Sequence, residues 1–397
     1  MKNSSLKLYL EISNLNYIFS VGQTDESNNF RIIYKSELTL KIEVNNKISY
    51  FEQVSEIIKK NIYVVEQKLN YTFKEIVLIL ENFELTFINL SGFKKLNGSQ
   101  ILRENITYIL NTLKSYVDEN NEKKTVLHIF NSKFYLDNKK IENLPIGLFG
   151  DFYSHELSFI LINKNDQKNL KSIFDKCNLK IGKVLVKSFV EGVNTSNNKN
   201  SDTFFQVKIN KNFSKIFYFE NNSLKFEQNF KFGTDIISKD ISKIISVKKD
   251  IVETILDQTK FTRDISEDDL IEENFFNMNE YRKIKKKLIY EIALSRAKEI
   301  CDLILFKNIN FDYYNNYSKN IYLEISDKSH VQAFKEIYET TFSNNRFKNL
   351  FFLDNLSSES MLNSAHKLVH FGWKKEAIPI YQYKKSLINR FFDAFFG

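Results

Sequence analysis

The sequence predicts a duplicated, two-lobed α/β fold with an inserted module and an amphipathic helix at its end. Three observations predict it. Three strand-like runs followed by a helix occur twice, once from residue 7 and once from residue 204. A strand-and-helix unit over residues 83–163 interrupts the first copy. Apolar side chains recur at helical spacing through the last dozen residues. Repeated αβ halves of this kind bury their sheets under helices and place a nucleotide site between lobes.

Taken in order, residues 7–21 are apolar and β-prone, polar 24–29 form a turn, and 30–40 are the returning strand. Residues 41–49 continue the sheet. Val54, Ile57, Ile58, Val64, Val65 and Leu69 mark a helix over 51–69, and 75–80 is a compact strand. In the inserted unit, 83–90 alternates like a strand. Ser99 with Arg103 and Glu104 opens a helix through Val117, and 125–135 and 155–162 are strands. Residues 168–177 are helical, 184–189 a strand, and 194–200 an Asn-rich linker. Three consecutive strands, 204–209, 215–220 and 223–232, start the second copy, with a helix from Asp235. A long helix over 280–306 is basic at its start, a buried strand covers 320–325, and a helix covers 331–342.

Composition narrows the function classes. A chain of 397 residues exceeds one simple core. No run of 18 apolar residues occurs, and Met1-Lys2-Asn3-Ser4-Ser5 precedes no apolar stretch, so neither a spanning helix nor a secretory signal is expected. Cys177 and Cys301 are too few for a disulfide framework and are expected as reduced thiols. The skew toward Lys, Asn, Ile, Phe and Tyr, with 10 Gly and 2 Pro, follows A/T-rich codons. The net charge of +8 suits an anionic partner or surface. No Arg-rich stripe interleaved with aromatics appears, so nucleic acid is not an expected partner. His366 and His370 lie four apart on a helix with no third ligand nearby, which favours a structural role. Asp264, Glu267, Asp268, Asp269, Glu272 and Glu273 form a solvated acidic face without calcium-loop spacing.

This order of elements resembles the FtsA family, the actin-like adaptors of bacterial cell division, over essentially the whole chain. Val126-Leu127-His128-Ile129-Phe130, Tyr135, Pro145-Ile146-Gly147 and the 155–162 strand look like the second half of that family's inserted subdomain. The resemblance implies an actin-like, ribonuclease H-like duplicated fold. Residues 1–82 and 164–200 would form the first lobe, and 83–163 an SHS2-like insert. Residues 201–372 would form the second lobe with a tip at 258–306, 373–383 a linker, and 384–397 a membrane-targeting helix. It also implies self-association and contact with other division proteins. It implies binding of the tubulin-like FtsZ through its C-terminal tail, at the cytoplasmic face of the membrane at the division site. ATP with magnesium is the family's cofactor.

The phosphate loops depart from the family. Glu11-Ile12-Ser13-Asn14 stands where Asp, an apolar residue, Gly and Thr or Ser are usual. Lys208-Ile209-Asn210-Lys211-Asn212-Phe213 replaces an Asp followed by glycines and Thr. Glu324-Ile325-Ser326-Asp327 replaces a triple glycine. Glycine permits positive φ and close approach of N–H groups to phosphate. An Asp would hold magnesium through water, which Lys208 cannot; Lys208 and Lys211 could instead meet phosphate as cations. Weak or absent nucleotide binding and no hydrolysis are therefore expected. The alternatives are an actin-like ATPase and a pilus-assembly adaptor of the same fold.

Two clusters remain. Arg282, Lys283, Lys285, Lys286 and Lys287 stand at the start of the long helix, with Arg296 and Lys298 beyond. The resemblance makes this the receptor for the acidic, partly apolar FtsZ tail. At the end of the chain Leu387, Ile388, Phe391, Phe392, Phe395 and Phe396 occupy one half of a helix at 100° per residue. Ser386, Asn389, Arg390, Asp393 and Ala394 fill the other half, Lys384 and Lys385 precede the first turn, and Pro379 separates the stretch from the body. Such a helix is expected to lie on an anionic membrane surface.

Overall fold

Near-continuous apolar runs make strands that are buried on both faces. The first of them is β1 (Lys7–Ser13), which a meander continues through β2 (Asn16–Thr24) and β3 (Phe30–Thr39). After α1 (Lys47–Leu69), β4 (Glu75–Glu81) is buried along nearly its whole length. This computed structural model describes residues 6–13, 16–24, 30–39, 47–276, 282–315, 320–343 and 349–377. They fall into two compact units: Met1–Asn194 with Asn221–Lys225 and Glu359–Gly397, and Thr195–Glu220 with Phe226–Ser358.

In the first unit the insert comprises β5 (Leu85–Lys95), α2 (Arg103–Asn120), β6 (Lys124–Leu136), β7 (Lys139–Ile141) and β8 (Phe152–Asn163). They form a sheet of order β5-β8-β6-β7. The main chain resumes with α3 (Lys164–Lys176), β9 (Lys180–Val186) and α4 (Lys187–Lys199). The main sheet has the order β3-β2-β1-β4-β9, with β1, β4 and β9 parallel. Val54, Ile58, Ile62 and Val65 of α1 and Ile173 and Phe174 of α3 share one core with Leu8, Leu10, Ile76 and Leu78.

The second unit repeats this plan. β10 (Phe204–Ile209), β11 (Ser214–Glu220) and β12 (Ser223–Phe230) lead to α5 (Asp235–Ile245) and α6 (Lys249–Gln258). Then come α7 (Lys286–Cys301), a π turn at Asp302–Phe306, α8 (Ile309–Asn315), β13 (Asn320–Ile325), α9 (Lys328–Phe342) and β14 (Asn349–Leu353). The sheet order β12-β11-β10-β13-β14 matches the first sheet strand for strand, and β10, β13 and β14 are parallel. α10 (Ser358–His370) is the last helix among the described residues.

Several elements differ from the sequence expectations. The apolar run 7–21 is split into two strands that pair as a hairpin. Residues 47–49 open α1 instead of extending the sheet. The strand expected over 184–189 ends at Val186, and the Asn-rich 194–199 belongs to α4, because burial of Val190 and Val193 overrides weak helix propensity. The long basic helix begins only at Lys286. Before it, Ile284 and Lys286 pair through their backbones with Ile271 and Asp269, which holds the chain extended. α10, expected in the second half, lies in the first unit. The short strands β7 and β14 carry too few residues to show a period.

The codon skew has a structural consequence. Eight of the ten described non-glycine residues at positive φ are asparagines, beside Asp137 and Ser246. Asparagine tolerates the left-handed region best after glycine, so it takes over the turns of a glycine-poor chain.

Candidate functional site

Ligands of open α/β sheets bind outside the carboxyl ends of the parallel strands. In the first unit those ends carry Glu11, Ser13 and Glu81, and Lys187 opens α4 directly after β9. Lys187 donates to Glu11 at 2.5 Å and to Glu81 at 2.8 Å. All three side chains are buried or nearly so. Burial alone would lower the pKa of Lys187, but Glu81, Glu11 and Glu191 overcome it and hold the ammonium well above its ordinary range. Asn82, at φ 60°, turns the chain after β4 and reaches the Ser13 hydroxyl at 3.5 Å. Asn14 lies outside the described residues.

The second unit closes the equivalent strand ends differently. Lys208 of β10 and Glu324 of β13 stand side by side in register and form a buried ion pair at 3.1 Å. Beyond them the loops are joined to one another. The Asn210 N–H donates to the Phe213 carbonyl, Thr234 N–H to Asn210, Asp235 N–H to Lys211 and Ser326 N–H to Ile209, all within 2.8–3.0 Å. Thr234 Oγ1 donates to Asp327 at 2.8 Å. A Cβ at Gly233 would come within 1.9 Å of the Asn210 carbonyl oxygen, so only glycine permits this approach. Lys211 points instead to Glu253 at 2.8 Å, and Asn212 is exposed at the turn.

These residues do not fit ATP with magnesium. Loop N–H groups of the second unit are bonded to backbone carbonyls, and the strand-end charges of both units are paired within the protein. No described residue of the three loops takes the positive φ that glycine supplies elsewhere. Of the expected positions, Glu11 and Ser13 stand at the strand ends of the first unit, and Lys208, Asn210, Lys211, Asn212, Ser326 and Asp327 at or beyond those of the second, with Lys211 and Asn212 exposed. Sequence reasoning missed Lys187 and Glu81. Their signal was a charged residue ending or directly following an apolar strand, at Glu81 after EIVLIL and at Lys187 after KIGKVLV.

A groove of about 570 Å³ opens where the chain enters α7. Arg282, Lys283, Lys285 and Lys287 line it together with apolar Ile245, Ile284 and Leu288, and with Glu267 and Glu291. Arg282, Lys283 and Lys285 are exposed. The structure therefore gathers part of the predicted basic cluster, but not as a helix start, since Arg282, Lys283 and Lys285 precede α7. Lys286 pairs with Glu272 at 3.7 Å, and Arg296 with Asp240 at 2.5 Å and Glu299 at 2.6 Å. Neither lines the groove, nor does Lys298.

His366 is not half of a metal pair. Its Nδ1 hydrogen-bonds the Tyr9 hydroxyl and its Nε2 the Thr24 hydroxyl, each at 3.0 Å, and its ring stacks on Phe30. No metal-ligating cluster occurs among the described residues. No described helix is long and apolar enough to cross a membrane. Lys384, Lys385, Leu387, Ile388, Arg390, Phe391, Phe392, Phe395 and Phe396 lie outside the described residues.

The last described segment is tied to the insert. Lys375 and Ala377 pair with Asn131 and Ile129 at 2.7 Å, antiparallel to β6. Glu376 accepts from His128 at 2.8 Å and from Lys183 at 3.0 Å. This places one partly buried carboxylate between two nitrogen donors, the inverse of Lys187 between two carboxylates.

No protein-family profile matches the chain. Among curated proteins, it is 24% identical over 302 residues to the cell division protein FtsA of Buchnera aphidicola subsp. Baizongia pistaciae, spanning 74% of this chain and 70% of that one. It is 21% identical over 307 residues to FtsA of Buchnera aphidicola subsp. Acyrthosiphon pisum, spanning 76% and 73%. Among solved structures, a chain of the PilM-PilN type IV pilus biogenesis complex superposes with a TM-score of 0.51 at 8% identity, over 93% of this chain and 96% of that one. That likeness speaks to fold alone, and the duplicated sheets agree with it. The chain is an FtsA-like protein built on the actin-like α/β fold.

Proposed function

We propose that this chain is a cell-division adaptor that holds FtsZ filaments against the cytoplasmic face of the membrane at the division site. The groove at the entry to α7 carries the proposal. Exposed Arg282, Lys283 and Lys285 beside apolar Ile284, Leu288 and Ile245 suit a peptide that is acidic and partly apolar. Exposed charge-assisted contacts are each worth about 0.5–1 kcal/mol, so several together support a weak, salt-sensitive complex. The second contact is with lipid, through the amphipathic face from Leu387 to Phe396 and the cations Lys384, Lys385 and Arg390. Each nearby cation adds about 1 kcal/mol on an anionic leaflet. One tail binds reversibly, and an array of self-associated chains binds firmly. The adaptor works without hydrolysing nucleotide, a reading that the two closed strand-end clusters support.

The test is binding of a labelled peptide of the same organism's FtsZ tail. Arg282→Glu with Lys285→Glu should weaken it at least tenfold, by about 1.4 kcal/mol or more. Unchanged binding places the site elsewhere. In parallel, deletion of residues 384–397 should leave a folded protein that no longer sediments with anionic vesicles; continued sedimentation removes the tail as the anchor.

A further inference from the structure

The basic groove contains its own acid. Glu267 lines it, and its carboxylate is hydrogen-bonded to the Lys287 ammonium. This contact belongs to a larger arrangement. Ile271 N–H donates to the Ile284 carbonyl and Lys286 N–H to the Asp269 carbonyl, both at 2.8 Å, with Leu270 opposite Lys285 in an antiparallel bridge. The acidic segment is thus joined to the basic one by one antiparallel bridge. Its anchors are backbone bonds and buried Ile271 and Ile284, while Glu267, Asp268, Asp269 and Glu272 stay exposed. Glu267 sits on a turn closed by the Asp269 N–H to the Ser266 carbonyl at 3.2 Å. Its side chain can swing away from Lys287 without loss of the paired backbone. Glu291, the other carboxylate of the groove, is fixed on α7.

We infer that Glu267 is a built-in competitor that occupies Lys287 as an incoming carboxylate would, so that an acidic peptide must displace it to bind. This rests on the groove being the peptide site. It assigns the exposed acidic segment a role beyond solubility, since the peptide meets a groove already partly neutralised. Lys287 departs from its ordinary pKa upward, chiefly through the hydrogen bond to Glu267, in agreement with that geometry.

The experiment compares the full chain with Glu267→Gln and Glu272→Gln, using the same labelled acidic tail peptide at moderate salt. Glu272 pairs with Lys286, which does not line the groove. It is therefore the control for a general change in field. Glu267→Gln should tighten binding about threefold, within the range of one exposed ion pair, and Glu272→Gln should change it by less than about 1.5-fold. Equal tightening by both variants, or none by Glu267→Gln, overturns the inference. If the unaltered chain binds and the Arg282→Glu, Lys285→Glu variant does not, that failure belongs to Glu267 alone. If no variant binds the peptide while all remain folded, the peptide site itself is wrong and this inference falls with it. Both glutamates are exposed, and matching thermal melts confirm that neither variant has disturbed the fold.

Discussion

The two halves share a strand order and close their strand ends in different ways. In the first unit three side chains do it, with Lys187 between Glu11 and Glu81. In the second the pair of Lys208 with Glu324 is backed by loops whose backbones bond one another. Both solutions put buried charge where a ligand would lie, but only the first depends mainly on side chains. The difference predicts unequal sensitivity. A buried ion pair adds little net stability relative to well-packed apolar residues, yet breaking it strands an uncompensated charge.

The largest expected effect is therefore at Lys187. Lys187→Met leaves two buried carboxylates facing each other and should cost about 3–5 kcal/mol. Lys208→Met takes one ammonium from Glu324, with the backbone network intact, and should cost about 1–3 kcal/mol. Urea unfolding of both variants with unchanged slope measures this. If Lys208→Met costs as much as Lys187→Met, the loops contribute little and the two halves are closed by charge alike.

A second test uses the inverse cluster, one carboxylate between two nitrogen donors. Burial would raise the pKa of Glu376, but the hydrogen bond and charge of His128 and the ammonium of Lys183 prevail, and it is held down from 4.5 to about 2. A depressed folded pKa means that the unfolded chain binds more protons as the pH falls. The stabilisation is present in full above about pH 5 and is lost as pH drops toward 2. It amounts to about 3 kcal/mol over that window. Glu376→Gln should therefore be less stable than the unaltered chain at pH 6 and nearly equal to it at pH 2.5. A difference that persists at the lower pH would mean that Gln disturbs packing and that the charge is not what matters.

Legibility in the sequence followed the range of the interactions. The strands β1, β4 and β10 were readable because burial on both faces demands continuous apolar runs. The repeat of three strands and a helix was readable for the same reason. The start of α7 was not, since a backbone bridge from Leu270 to Lys285 sets it. The end of α4 was hidden because an asparagine run reads as loop until Val190 and Val193 are buried. In the site, the loss of glycine from three loops was visible. What filled the space was not visible. Lys187 lies 176 positions from Glu11 and 106 from Glu81, and no local pattern links them.

The smallest expected effect is the response to nucleotide, and it bears on both halves at once. A ligand that binds only the folded state stabilises it by RT ln(1 + [L]/Kd), about 2.7 kcal/mol at one hundred times Kd. For units of this size about 1 kcal/mol shifts the melting midpoint by 2–4 °C. ATP at roughly 1 mM with excess magnesium would therefore raise the midpoint by several degrees if it bound with a Kd near 10 μM. The strand ends argue for a shift below about 1 °C, since N–H groups of the second unit are bonded to carbonyls and the Lys187 ammonium is engaged by two carboxylates. Breaking those contacts to admit a triphosphate would leave Glu11 and Glu81 facing its negative charge. The measurement is a thermal melt with and without ATP and magnesium, repeated with Lys187→Met. A magnesium-dependent rise of several degrees in the unaltered chain would show that the strand ends admit nucleotide, and that the ion pairs there are latches instead of permanent fillings.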